Sequence, residues 1–289
     1  MGVQASMWTE FCNSPDDVEY QLFPRLWALS DIAWAKKGTK DWPDFLKRID
    51  KILPHIEAMD ITCARSMYNI QHTSTPVDGA LQIKLECIRP DVEIRYTTDG
   101  SEPEATSTLY TRPLEFHTAQ TLKCATFAAG RQMGKTLVLP LLHNKATAKP
   151  LILLQPINEK YKYNGEYTLV DGLSGTPNYR TGRWIAFYKN DMELVVDLKQ
   201  ETSVHKAWVR TYVEIGEEIL DVRSISVLSS ADGKIYKELK TVDYPAVTSK
   251  DNNGIYKHEV DFDTVSARYI KIIAKQEYKI PSWHAESES

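Results

Sequence analysis

After its first dozen residues the hydrophobic period of this chain changes once, and that change decides what it can fold into. Up to about Ile56 the apolar residues recur at helical spacing. From Gly79 onward they alternate, with Leu81, Ile83, Leu85 and Cys87 set against Gln82, Lys84 and Glu86. Alternation of that kind marks strands with one buried face. A chain of 289 residues built this way has a short helical head and a long β body. Its 42% hydrophobic content is ordinary for globular domains, and its length allows two or three of them.

The head carries clear boundary signals. Ser14 is an N-cap, Pro15 suits the first helical position, and Asp16 and Asp17 complement the positive end of the dipole. The spacing predicts a helix from Pro15 to about Lys36 with Val18, Leu22, Leu26, Leu29, Ile32 and Ala33 on one stripe. Pro24 should kink or split it. Gly38 ends this segment, and Asp41 caps a second helix, Trp42 to about Ile56, with Phe45, Ile49, Ile52 and Leu53 inward. Before them, Gly2 to Glu10 reads as a strand in which Trp8 and Glu10 share a face. An indole and a carboxylate so placed suit a sugar, which offers C–H patches to a ring and hydroxyls to an acceptor. A core Trp beside a solvated Glu has the same spacing. Strand, helix, helix closes a β/α barrel but cannot form one alone, because both edges of the strand need partners.

Residues 58–76 lose periodicity and read as a linker. A sandwich domain follows, with strands around Ile94 and Tyr96, a turn at Asp99-Gly100, and further strands at Leu122, Cys124, Phe127 and Leu137 to Leu142. A third domain opens after Lys149-Pro150. Met192, Leu194, Val196 and Leu198 alternate, as do Ala207, Val209, Thr211 and Val213. Asp232-Gly233 makes a hairpin turn, and Arg268 to Ile273 forms a late strand. Tyr179, Arg180, Trp184, Tyr188 and Asp191 gather near turns of this domain and are its candidate carbohydrate-binding residues. Trp184 and Tyr188 equally suit a sandwich core or rim.

Several functions are excluded. A net charge of -4 steers neither nucleic acid nor a polybasic membrane contact. No apolar run approaches the roughly 18 residues of a membrane span. Cys12, Cys63, Cys87 and Cys124 form no metal-ligand pattern; Cys87 and Cys124 fall in one domain, yet free buried thiols suit all four better. Gly130 to Thr136 is one residue short of a phosphate loop and leads into a strand, so it reads as a hairpin loop. His117, His143 and His205 lack partner spacing, and neither a metal nor a cofactor is expected.

The run Gly2-x-x-Ala5-x-x-Trp8-x-Glu10 resembles the last barrel strand of the family 20 glycoside hydrolases, the β-N-acetylhexosaminidases. Glu93 to Pro103 with Leu109-Tyr110 resembles the immunoglobulin-like domain that follows the barrel in chitobiases and bacterial hexosaminidases. Tyr167 to Gly172, Trp184 and the alternating run from Met192 resemble a discoidin-like (F5/8 type C) jelly roll. The resemblance implies a mainly β, multidomain chain: a (β/α)8 barrel remnant over residues 1–60, an immunoglobulin-like β-sandwich over 72–146, and a discoidin-like domain over 150–289, cut at its C-terminus. It assigns Trp8 and Glu10 to the subsite for a terminal N-acetylhexosamine, and glycans with that terminus as partners. It also implies a periplasmic or extracellular location and, weakly, a structural calcium near Asp171.

Family 20 enzymes use the substrate's own acetamido oxygen as nucleophile, so the protein supplies an acid, the Glu of an Asp-Glu pair. No Asp-Glu dipeptide occurs in the chain. The expectation is a β-N-acetylhexosaminidase segment without catalytic residues of its own, lacking the N-terminal catalytic region. A non-catalytic carbohydrate-binding or spacer module is the alternative. Helix faces without a barrel would favour self-association.

Overall fold

The computed structural model describes residues 3–10, 12–36, 38–77, 79–181 and 183–283. Gly2 of the opening motif and the tail from Ala285 to Ser289, expected to end a cut domain, lie outside the described residues. Three helices come first: α1 (Pro15–Leu22), α2 (Arg25–Trp34) and α3 (Trp42–Glu57). The strands are β1 (Gln71–Val77), β2 (Ala80–Glu86), β3 (Glu93–Thr97), β4 (Thr108–Leu109), β5 (Leu114–Phe116), β6 (Gln120–Ala128), β7 (Arg131–Gln132), β8 (Leu137–Leu141), β9 (Leu151–Leu153), β10 (Met192–Val213), β11 (Val222–Ser230), β12 (Lys237–Asp243) and β13 (Gly254–Gln276). The chain forms two compact units: residues 1–71, 85–111 and 123–138 in one, and 72–84, 112–122 and 139–289 in the other.

In the first unit Ser14 caps α1 through a reciprocal capping box with Asp17, and Asp41 caps α3 by accepting from the Asp44 amide at 3.1 Å. Pro24 does split the long helix, since its ring removes a donor and crowds the turn before it. Thr62 donates its amide to Glu19 at 2.7 Å, and Ala64 to the Phe23 carbonyl at 3.0 Å, so the chain after α3 returns to the corner between α1 and α2. Helix α3 buries Phe45, Leu46, Ile49 and Leu53. Ile52, expected inside, is 39% exposed, and Leu46 takes its place on the buried face. Neither α1 nor α2 has a fully buried residue, and Leu26, Ile32 and Trp34 are exposed. The strand expected over residues 2–10 is not formed at 3–9, whose backbone has no ladder. A lone barrel strand has no neighbours to satisfy its N–H and C=O groups, so it gains nothing from being one.

The α3 face packs with Tyr68, Trp27 and Met133 into one cluster. Above it sits Arg89, whose side chain is 2% exposed. Its guanidinium donates to Asp50 on α3 at 2.7 Å and to Asp91 at 2.9 and 2.5 Å, and lies 5.0 Å over the Tyr68 ring. The Tyr68 hydroxyl also donates to Asp50. Hydrogen bonds to both carboxylates keep Arg89 charged and raise its pKa in spite of burial; burial opposes ionisation of Asp50, yet Arg89 and Tyr68 hold its carboxyl below the usual range. Sheet β4-β3-β6-β7 closes against the same tyrosine. Thr126 donates to the Tyr68 carbonyl at 2.8 Å and accepts from the Gly134 amide at 3.1 Å. A Cβ at Gly134 would lie 2.5 Å from that carbonyl, so the loop read from sequence as a phosphate-loop decoy is indeed a hairpin end, held by close backbone approach.

In the second unit, β1-β2-β5 form one sheet, with Leu81 opposite Phe116 and Ile83 opposite Leu114. The larger sheet has the order β12-β11-β13-β10-β9. Its core is Met192, Leu194, Val196 and Leu198 from β10, Ile225 and Val227 from β11, and Val260, Ile270 and Ala274 from β13. Register shifts break the β10–β13 ladder between Asp197 and Thr202 and between Val204 and Lys206. Such bulges bend and twist the strands. Arg268 braces the first by donating twice to Asp197, at 2.9 and 3.0 Å. All four cysteines are free, and burial pushes the Cys124 thiol up to about 12.

Removing one carboxylate of this buried node leaves Arg89 with Asp91 alone and some of its donors unpaired. Asp50→Ala is therefore expected to destabilise the chain by roughly 3 kcal/mol. A urea midpoint that does not move would refute this role for Arg89.

Candidate functional site

The larger sheet carries a cluster of rings at the end of β10. Because Val209, Thr211 and Val213 alternate on one face, Trp208, Arg210 and Tyr212 occupy the other. Tyr212 lies 5.5 Å from Trp184 and 6.0 Å from Tyr179, and Tyr179 lies 5.9 Å from Tyr161. Arg180 stacks over Tyr179 at 4.9 Å and pairs with Glu217 at 3.0 Å, and Glu217 also accepts from the Tyr179 hydroxyl at 2.8 Å. Desolvation and the bond to Glu217 hold the Tyr179 phenol above its ordinary pKa. The cluster thus offers flat apolar faces with one donor head and one acceptor head at its rim.

Local chemistry sets the ring positions. Trp184 donates its indole N–H to the Thr176 carbonyl at 2.9 Å, and the ring rests on Gly175, where a Cβ would lie 2.2 Å from the indole. Only glycine fits under the ring. Asn158 donates its amide to the Ala186 carbonyl at 2.7 Å and Ala186 donates to Tyr161 at 3.0 Å, which brings Tyr161 to the cluster. Glu214 accepts from the Tyr212 hydroxyl at 3.1 Å and from Asn253 at 2.6 Å, which fixes the turn that carries Glu217. A cleft of about 1070 Å³ is lined by these rings and by Trp208, Val209 and Ile272. Its lining suits a ligand with apolar faces and hydroxyl edges.

Of the candidates named from sequence, Tyr179, Arg180 and Trp184 come together. Tyr188 stands farther along the same cleft, exposed, with Lys189 5.2 Å over its ring. The Asp191 carboxylate accepts from the Gln276 amide at 3.1 Å and from the Tyr278 hydroxyl at 2.8 Å, so it fastens the end of β13. Trp8 is 76% exposed and Glu10 is exposed, on a segment without a ladder. Sequence reasoning misses Tyr161, Tyr212 and Glu217. The out-facing positions of β10 carry a signal for Tyr212, but nothing local announces Glu217, which acts only through the fold.

Beside the cluster, Asp171 is 3% exposed. It accepts from the Leu173 amide at 2.9 Å, but burial raises its carboxyl to about 7. Arg183 donates to His72 Nε2 at 2.9 Å; burial, with the Arg183 charge, lowers that imidazole to about 4. Among the described residues no group of three His, Cys, Asp or Glu could hold a metal, and no helix is long and apolar enough to cross a membrane.

Residues 1–37 match the glycosyl hydrolase family 20 catalytic domain, residues 73–138 the chitobiase/β-hexosaminidase C-terminal domain, and residues 155–286 the F5/8 type C domain. The fold is mainly β, and the matches place an immunoglobulin-like and then a discoidin-like domain after a short segment of the catalytic domain. The chain is similar in these three segments to the C-terminal part of family 20 glycoside hydrolases. A β-hexosaminidase of Porphyromonas gingivalis is 31% identical over 142 residues, 46% of this chain and 18% of that protein. A β-N-acetylhexosaminidase of Cellulomonas fimi is 35% identical over 54 residues, 19% of this chain and 11% of that protein. The chain therefore spans less than a fifth of the curated relatives it matches. Among solved structures, a chitosan-binding module 2 from a Paenibacillus sp. IK-5 chitosanase/glucanase, in complex with chitotriose, is 12% identical with a TM-score of 0.31, covering 47% of this chain and 91% of that one. A Clostridium perfringens module in complex with GalNAc-β-1,3-galactose is 11% identical with a TM-score of 0.30, covering 45% and 85%.

The buried carboxyl gives stability a sign with pH. A folded pKa of about 7 against 3.8 makes the Asp171 contribution complete below pH 3.8 and lost as pH rises through 7, a difference on the order of 4 kcal/mol. His72 works the other way: its folded value of about 4 lies below the ordinary 6.5, so its contribution is present above 6.5 and lost toward 4. Subtracting the Asp171→Asn stability profile from that of the wild type isolates the carboxyl. The wild type should be the less stable of the two at pH 8, with the gap closing toward pH 4. A gap constant with pH would contradict the assignment.

Proposed function

We propose that this chain is the glycan-holding, non-catalytic C-terminal portion of a β-N-acetylhexosaminidase that removes terminal β-linked N-acetylglucosamine or N-acetylgalactosamine. The observation that carries the reading is the Tyr161–Tyr179–Tyr212–Trp184 cluster with its Arg180–Glu217 rim, set in the discoidin-like segment. Rings of this kind take the C–H faces of a sugar, while Arg180 donates to hydroxyls and Glu217 accepts from them. In the whole protein, cleavage is substrate-assisted and retaining: the acetamido oxygen attacks the anomeric carbon and an acid protonates the leaving oxygen. These residues contain no Asp-Glu pair to serve as that acid. Trp8 and Glu10 meet the terminal sugar once the barrel surrounds them. There the strand gains the ladder partners it lacks in this chain, which gives both side chains a common face. The domain limits 1–60, 72–146 and 150–289 accompany this reading, as does a location outside the cytoplasm, where such glycans are met.

Titration calorimetry with glycans ending in β-linked N-acetylhexosamine should find binding by the wild-type chain. Tyr179→Ala and Glu217→Gln should each weaken it about tenfold, the loss of one stacking face or one charged hydrogen bond. Binding unaffected by both substitutions would defeat the site assignment. The chain alone should release no nitrophenol from a nitrophenyl N-acetyl-β-glucosaminide, and measurable turnover would defeat the non-catalytic reading. In the complete protein, Glu10→Gln should lower activity.

A further inference from the structure

The loop that carries Tyr179 and Arg180 begins at Asp171 and returns to the sheet through Arg183 and Trp184, and both of its ends are fastened to strands of the preceding sandwich. At the start, Ser74 of β1 donates its hydroxyl to the Asp171 carbonyl at 2.9 Å, with both residues 3% exposed. The next residue, Gly172, has φ of 73° and accepts from the Leu142 amide at 2.7 Å. A Cβ there would stand 2.2 Å from Leu81 Cδ1 on β2, so the turn is pressed onto that sheet with no room for a side chain. At the far end, Arg183 donates to His72 Nε2 of β1 at 2.9 Å. Arginine has no acceptor, so the imidazole nitrogen facing it is unprotonated. These contacts all lie within one compact unit, which joins residues 72–84 to the C-terminal sheet.

We infer that β1, through His72 and Ser74, positions the aromatic loop for the ligand, so that the glycan site is completed by the immunoglobulin-like sandwich and is not a property of the discoidin-like segment alone. The inference rests on the glycan-holding reading of the Tyr179 cluster. His72 and Ser74 touch no ligand; they act through Arg183 and Asp171. A loop held at both ends has lost its freedom before the sugar arrives, whereas a loose one must be ordered by binding and holds its ligand more weakly.

The test uses the full chain and compares wild type, His72→Ala and His72→Gln, whose amide oxygen can accept from Arg183 as the imidazole does. Hydrogen exchange over residues 173–181 reads the loop, and calorimetry with triacetylchitotriose reads the site. His72→Ala is expected to speed exchange in the loop and to weaken chitotriose binding, each about tenfold, the worth of one hydrogen bond to a charged group. His72→Gln is expected to return both toward wild type. Unchanged exchange in His72→Ala overturns the anchoring, and faster exchange with undiminished affinity overturns its importance for the ligand. Should the wild type bind no chitotriose, it is the glycan reading that fails, and the exchange data alone decide whether β1 orders the loop. Melting curves separate either result from global unfolding.

Discussion

One buried cation organises the first compact unit. Arg89 is removed from water, and a guanidinium in that position is tolerated only when its donors are taken up. Asp50 comes from α3, Asp91 from the turn before β3, and Tyr68 supplies both a ring face and a hydroxyl. Because three separated pieces of chain must meet for the charge to be satisfied, the helical head cannot drift from the β3 sheet without exposing the ion pair's cost. The apolar face of α3 packs into one cluster with Tyr68, and this polar node beside it adds specificity to that cohesion. Thr126 and Gly134 then fix the tyrosine backbone, and through it the hairpin of β6 and β7.

Much of this was legible because it is local. Ser14 and Asp41 cap helices through their own neighbours, Pro24 interrupts a helix by its covalent shape, and alternation in β2 and β10 follows from which face is buried. The failures have the opposite character. Residues 2–10 have a strand's pattern, but a strand is a property of pairs, and pairing depends on residues elsewhere. Ile52 has the right spacing for the α3 face, yet Leu46 is the residue that the neighbouring elements cover. Arg89 gave no signal at all, because nothing in a sequence says that an arginine will be closed over.

The aromatic cluster divides along the same line. Tyr179, Arg180 and Trp184 are close in sequence, and their residue types suffice to single them out. Tyr161, Tyr212 and Glu217 reach the cluster from a turn, from the far end of a long strand and from the bend after it, so only the fold assembles them. Glycines record the assembly more faithfully than the rings do. Gly175 is small because an indole lies on it, and Gly172 is small because a leucine of another sheet does. Each marks a contact whose partner cannot be guessed from the residues around it.

The sheet order ends at β9, which covers β10 only from Leu194 to Val196. Beyond Asp197, whose amide still donates to the Pro150 carbonyl at 3.0 Å, the outer edge of β10 has no paired strand among the described residues as far as Val213, although Lys145 donates to the Ser203 carbonyl. An open edge of that length is a template on which any extended polypeptide can add itself. The sequence along it interrupts the template with Lys199, His205, Lys206 and Arg210, charges and an ionisable ring that an incoming apolar strand would have to desolvate. The strand that carries Tyr212 is therefore also one whose edge is guarded by charge, and neutralising those residues would leave it open to an incoming strand.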